Sequence, residues 1–406
     1  MARKKNLERA IILGLILSTG VYGSAWAEEP ITGPIVDDKY NNEVFHEDVI
    51  INGGNESAIE IGSDTVSITT QEPIEMEKEN GTIKLNSDKY GIRLEGSGLV
   101  TLNAVGDNVI TVTVDNTSAD IGDGINVTKG AAGTITLNGG NNTITVTGEH
   151  SDGIYTAEGN NTKIEMNANS GDNTINADNN GIDHRGDNTI TLKAENGSNI
   201  IKTTAGDGVR VDGIGNVTLT AKENTINAGD NGIQVAGGGT VNVTANVGSN
   251  IIKAGNNGID IAKGTGNITA NIKNDITAGS TGINVFGDSN AYIDGKETTI
   301  TVVKNIPDSS PTTDMAAGIN LGEKVGNINT YGNLILGTNE GIKNNKFVID
   351  VTNNNNSKIS SAIGINMSHD STLRTKNEIG YVSITATNVN GGTARGISVA
   401  GRVHLM

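Results

Sequence analysis

The chain contains no cysteine, only five prolines and 3% aromatic residues among its 406 residues. Without cysteine there is neither a disulfide framework nor a Cys-ligated zinc site, so packing and backbone hydrogen bonds must supply the stability. Basic residues are also scarce: 29 Lys and Arg stand against 46 Asp and Glu, a formal net charge of −17. An acidic chain so poor in aromatics lacks both phosphate-neutralising patches and stacking platforms, which argues against a nucleic-acid partner. No segment reaches the roughly 20 apolar residues of a membrane-spanning helix, so no transmembrane helix is expected.

One shorter apolar run, Ile11 to Leu17, follows Arg3, Lys4, Lys5 and Arg9 and precedes Ala25-Trp26-Ala27. A basic start, an apolar centre and a small-x-small end predict a secretory signal peptide over residues 1–27, cleaved after Ala27. Its removal takes the only tryptophan and leaves a net charge of about −20. The mature chain is therefore expected to be secreted or held at a bacterial cell surface.

What the chain does have is glycine, 55 of them, and a repeat. A Gly followed by Ile or Val, a polar residue and usually a second apolar residue recurs at Gly91, Gly124, Gly153, Gly181, Gly208, Gly232, Gly258, Gly282, Gly318, Gly364 and Gly396. Ala58-Ile59 reads as a degenerate first copy and Gly341-Ile342 as a weak extra one. From Ile125 to Ile283 the spacing is 24 to 29 residues, a period that indicates a solenoid or array. Each interval holds two more segments of period-2 alternation, such as Ile190/Leu192 and Ile201/Thr203, with Thr, Asn, Lys or Glu between the apolar positions. That alternation marks strands with one buried face.

Three strands per coil predict an all-β, right-handed parallel β-helix, a three-sided β-solenoid of about 12 coils over residues 53–406. One coil cannot bury enough side chains to fold alone, whereas stacking satisfies every ladder N–H and C=O at about 4.8 Å per layer. Asn173, Asn199, Asn224 and Asn250 recur at the start of the third strand, where amides can bond up the stack. The glycine before Ile or Val is expected to relieve a corner of positive φ. Residues 28–52 read as a leader or N-terminal cap, and residues 294–317, with Pro307 and Pro311, as a projecting loop. Val403 and Leu405 begin a second strand as the sequence stops, so the solenoid reads as truncated at its C-terminus.

These features together, an export signal, an acidic cysteine-free body and many Gly-Ile and Asn-Thr-Ile coils, resemble the passenger region of autotransporter or haemagglutinin-like surface proteins of bacteria with an outer membrane. The resemblance covers nearly the whole mature chain as a repeat style. It implies passage through an outer-membrane barrel, a translocator expected but absent from this sequence, which has no alternating strand runs with aromatic girdles. It also implies adhesion: partners would be proteins or glycans of a host or neighbouring-cell surface.

Catalytic signatures are missing. No serine sits in Gly-x-Ser-x-Gly, Gly295-Lys296 is followed by Glu297 rather than Ser or Thr, and the five histidines form no zinc pair. No catalytic, cofactor-binding or metal residue is assigned, no cofactor is expected, and the reading is non-enzymatic. Asp123, Asp152, Asp207 and Asp230, just before the anchors, read as turn formers. His184 takes an inward position and is expected to bond Thr156 of the preceding coil. Arg185, Gly186 and Asp187 form the tripeptide read by integrins, a candidate receptor-binding site expected to be exposed at a corner. Parallel β-helices also carry polysaccharide lyases and tailspike-like hydrolases, so a carbohydrate-active enzyme is the alternative.

Overall fold

The computed structural model describes residues 31–32, 35, 43–45, 49–62, 65–70, 81–114, 122–305, 315–325, 328–337, 345–354, 360–368, 370–375, 379–389, 392–400 and 404–405. The signal-peptide reading lies outside them, as do residues 306–314 of the expected loop and the Gly341-Ile342 pair. No helix among the described residues is long and apolar enough to cross a membrane.

The body from residue 32 onward is a parallel β-solenoid with three walls. The anchor wall is a sheet of twelve strands, running from Ile59–Ile61 to Thr393–Ala400, each beside its counterpart one layer on. Ile59 pairs with Ile92, Ile125 with Ile154, Ile154 with Ile182, and Ile182 with Val209, all parallel. The second and third walls merge into one sheet, because strands Thr189–Thr203 and Asn216–Ala228 run through both. Elsewhere they are separate strands, such as Thr240–Ala245 and Asn250–Ala254.

The alternation in the sequence sets the register. A one-residue slip would turn the whole apolar set outward, and the second wall keeps its register here: Leu192, Val217, Leu219 and Val243 are fully buried. Ile190 stacks on Ile164 and Val217, and Ile201 on Ile175 and Ile226. At the end of the second wall a column of buried alanines, Ala168, Ala194 and Ala221, packs from layer to layer.

One feature differs from expectation. The ladder begins earlier than residue 53: Val49–Gly54 pairs with Ile83–Ser87, Glu43–Phe45 with Ile68–Thr70, and Ile35 bridges to Ile59. Part of the segment read as a leader or cap thus lies in the walls. The anchor wall passes directly from Ile319 to Ile365.

The anchor glycines require a correction. Among the described residues the glycines of positive φ are 54, 81, 130, 148, 159, 238, 264, 287, 322 and 337, and no anchor is one of them. Their reason is space. A Cβ on Gly208 would lie 2.3 Å from Ile226 Cγ2 and 2.7 Å from the Gly232 carbonyl oxygen. The same pair of clashes, with an Ile of the third wall and the next anchor's carbonyl, recurs at Gly91, Gly124, Gly153, Gly181, Gly232, Gly258, Gly282, Gly318 and Gly364. The corner closes so tightly that only a hydrogen fits.

Asparagines run up the inside of the third wall. Asn108 Nδ2 donates to Asn142 Oδ1, and the pattern continues through Asn173, Asn199, Asn224, Asn250 and Asn274 at 2.8–2.9 Å. All seven are buried, so each amide must find its partners inside the stack. In the last layer, Val382, Ile397 and Val399 are about half exposed, although their partners Phe347, Ile365 and Met367 are buried.

Candidate functional site

The outward positions of the walls are mostly Thr and Asn, with charges paired along the same strand. Lys163 meets Glu165, Lys193 meets Glu195, Arg210 meets Asp212 and Arg93 meets Glu95, each within 2.8 Å. Residues two apart on a strand share a face, so these pairs follow from the pleat. Asparagine ladders also cross the outside, through Asn103, Asn138 and Asn167 and through Asp260, Asn284, Asn320 and Asn366. Among the described residues one antiparallel pair, Glu323–Val325 with Ile328–Thr330, follows the anchor strand Met315–Leu321.

Around Asp183 the anchor wall carries its most concentrated chemistry. Asn126, Tyr155, Asp183 and Arg210 occupy one outward column in successive layers. The Arg185 guanidinium holds Asp183 through Nε at 3.1 and 3.2 Å and through a terminal nitrogen at 2.7 Å, and lies 5.3 Å from the Tyr155 ring centroid. Covered in this way, Asp183 is only 1% exposed. The hydrogen bond to Asp183 raises the Arg185 pKa further. The tripeptide at 185–187 is therefore not presented as a free loop. Arg185 is committed to Asp183 and Tyr155, Gly186 is buried, and only Asp187 is exposed.

Beneath this patch lies a second column, at the corner before each anchor. The Asp152 N–H donates to Asp123 Oδ1, Asn180 N–H to Asp152 Oδ1, Asp207 N–H to Asn180 Oδ1 and Asn231 N–H to Asp207 Oδ1, each at 2.9 Å. The Asn126 amide also donates to Asp123 Oδ2 at 2.7 Å, and the Asn179 amide to Asp152 Oδ1 at 2.8 Å. Burial pushes the Asp123 and Asp207 carboxyls up to about 6. Burial also pushes Asp152 up to about 8, reinforced by the charges of Asp123 and Asp183. These aspartates do shape the turn, as the sequence suggests, but they do so from inside, joined layer to layer.

His184 is fully buried, with Nδ1 2.7 Å from the Thr156 hydroxyl and Nε2 3.2 Å from the Asn188 carbonyl oxygen. A carbonyl only accepts, so Nε2 carries the proton and Nδ1 accepts from Thr156. Burial lowers its pKa, holding the ring neutral. The imidazole is a packed core group facing Thr156.

Asp183 and Tyr155 were missed by motif reading. Their signal is the polar residue between the two apolar positions of each anchor, read down the layers rather than along the chain. Among the described residues, no group of three or more His, Asp or Glu side chains is arranged to hold a metal ion. Comparison with known proteins finds no matching family model, no matching curated protein and no matching solved structure.

Proposed function

We propose that the solenoid is a non-enzymatic stalk with an adhesive surface, exported to the bacterial cell surface or secreted. It would hold itself away from the cell and make distributed contacts with proteins or glycans of a host or neighbouring cell. The observation that supports this most is the uninterrupted twelve-layer anchor wall with matching ladders on the other two walls. Bending or cleaving such a body requires breaking several interlayer hydrogen bonds at once, which suits a stiff, protease-resistant spacer. The outward Thr and Asn side chains and locally paired charges offer a uniform hydrogen-bonding surface rather than one deep site. An outer-membrane translocator fits the same reading. Because Arg185 is held by Asp183 and Tyr155, attachment on this reading does not run through the tripeptide.

The test is to incubate the purified mature chain with cell surfaces, matrix proteins and an array of glycans. Saturable binding to at least one, equal in an Arg185→Ala variant, is the expected result. Binding to none, with turnover of a polysaccharide, would replace the adhesin by the carbohydrate-active enzyme.

A further inference from the structure

The corner column is built to one rule with two kinds of residue. Every side chain in it offers one oxygen to the backbone N–H of the next layer, a task that Asp and Asn do equally well. They differ in the second group. Asn180 Nδ2 donates back to Asp152 Oδ1 at 3.0 Å, and Asn231 Nδ2 to Asp207 Oδ1 at 2.9 Å, so each asparagine ties itself to the layer before. Asp152 stands directly after Asp123 and has no amide to give. Two buried carboxyls thus stand in successive layers, where Asp152 and Asn180, and Asp207 and Asn231, pair a carboxyl with an amide.

Among the described residues, no cation forms an ion pair with either carboxyl. The groups facing this corner are Asp123, Asp152, Asp183, Tyr155 and Arg185, and the single guanidinium is already bonded to Asp183. Two layers on, Asp207 faces Asp230 and Arg210, and Arg210 is bonded to Asp212. Burying an unpaired carboxylate costs far more than burying the neutral acid, so such a group takes up a proton instead.

We propose that the folded corner binds protons in place of the missing amides, so that the solenoid is reinforced in mildly acidic surroundings and loosened as they become alkaline. A proton on Asp152 supplies the donor that asparagine supplies in the other layers, pointing back to Asp123. Between pH 4 and 8 the folded state then holds protons that the unfolded chain, with ordinary carboxyls, has lost. The raised pKa values of Asp152, Asp123 and Asp207 give the window. Their stabilising contribution is complete below pH 4 and is lost as pH rises through about 6 and about 8. His184 works in the opposite sense: its lowered pKa means that the unfolded chain gains a proton first as pH falls below about 6.5. Unfolding should therefore release about one proton at pH 7, from Asp152, and at pH 5 Asp123 and Asp207 add theirs, set against what His184 takes up.

The test compares the whole mature chain with its Asp152→Asn variant in melts from pH 5 to 8.5, with proton release on unfolding read by an indicator dye. The wild type is expected to melt at progressively lower temperature as pH rises. The variant, whose amide can donate to Asp123 permanently, is expected to show a shallower slope and to melt above the wild type at pH 8.5. An unchanged slope, or a variant less stable than the wild type at every pH, would overturn the proposal. Infrared spectra of the unmutated chain give an independent reading. A protonated carboxyl band present at pH 6.5 and absent at pH 9.5 supports it, and no such band at pH 6.5 refutes it.

Discussion

Replacing Gly208 by alanine asks whether the anchor glycine is there for space or for backbone freedom. If positive φ were the reason, a side chain would be strained wherever the corner lay; with an ordinary φ, only the neighbours object. The added Cβ meets Ile226 Cγ2 at 2.3 Å and the Gly232 carbonyl oxygen at 2.7 Å. That oxygen cannot retreat freely, because it accepts the Val209 N–H at 3.0 Å. Overpacking of this kind costs about 1–3 kcal/mol, and weakening the ladder bond adds about 1 kcal/mol. Against this, alanine restricts the unfolded chain by about 0.4–1 kcal/mol. The expected net loss is about 1–3.5 kcal/mol. Gly62 is the control: nothing lies within 4 Å of its added Cβ and its φ is not positive, so Gly62→Ala should be neutral or slightly stabilising. Because each layer touches only its neighbours, the damage should be local. Hydrogen exchange should accelerate in Val209–Val211 and Ile233–Val235 while distant layers keep their protection. Equal effects of Gly208→Ala and Gly62→Ala would refute the steric account.

Asn199→Leu should destabilise by about 2–4 kcal/mol, since it leaves the Asn224 Oδ1 and an Asn173 N–H buried without their partners; denaturant unfolding measures it. His184→Val alone should cost about 1–3 kcal/mol by orphaning the buried Thr156 hydroxyl, while the Asn188 carbonyl keeps the Asn216 N–H. Thr156→Val added to it should recover part of that loss, because the adjacent layers already carry Val127 and Val211 at this position; a double-mutant cycle reads the coupling.

Much of the fold was legible because a solenoid repeats its instructions. Ile125, Ile154 and Ile182 are spaced by one coil in sequence and stack in space, and a dozen copies average out local ambiguity. The asparagine column and the His184–Thr156 contact were legible for the same reason, once positions were compared between layers. The role of the anchor glycine was misjudged, because a conserved lack of a side chain looks the same whether φ or a neighbour demands it. Only the Ile226 methyl and the Gly232 carbonyl decide. The Asp183–Arg185–Tyr155 patch was hidden by a competing pattern: Arg185-Gly186-Asp187 reads as a motif along the chain, whereas the arginine's partners lie two residues back and one layer before. The carboxyl pair at Asp123 and Asp152 was hidden because Asp-Gly and Asn-Gly are both ordinary turn sequences, differing only by a carboxyl oxygen in place of an amide NH2.

Everything rests on parallel layers stacked in register, and the absence of native cysteine makes one measurement direct. Thr136, Thr218 and Asn267 share one outward column of the second wall, with Thr218 three layers and Asn267 five layers from Thr136. Cysteines introduced in pairs at these positions and spin-labelled should give separations of about 14 Å and about 24 Å, growing by about 4.8 Å per layer. Separations that do not grow with layer number, as in a set of antiparallel hairpins, would contradict the three-walled solenoid and the stalk proposed from it.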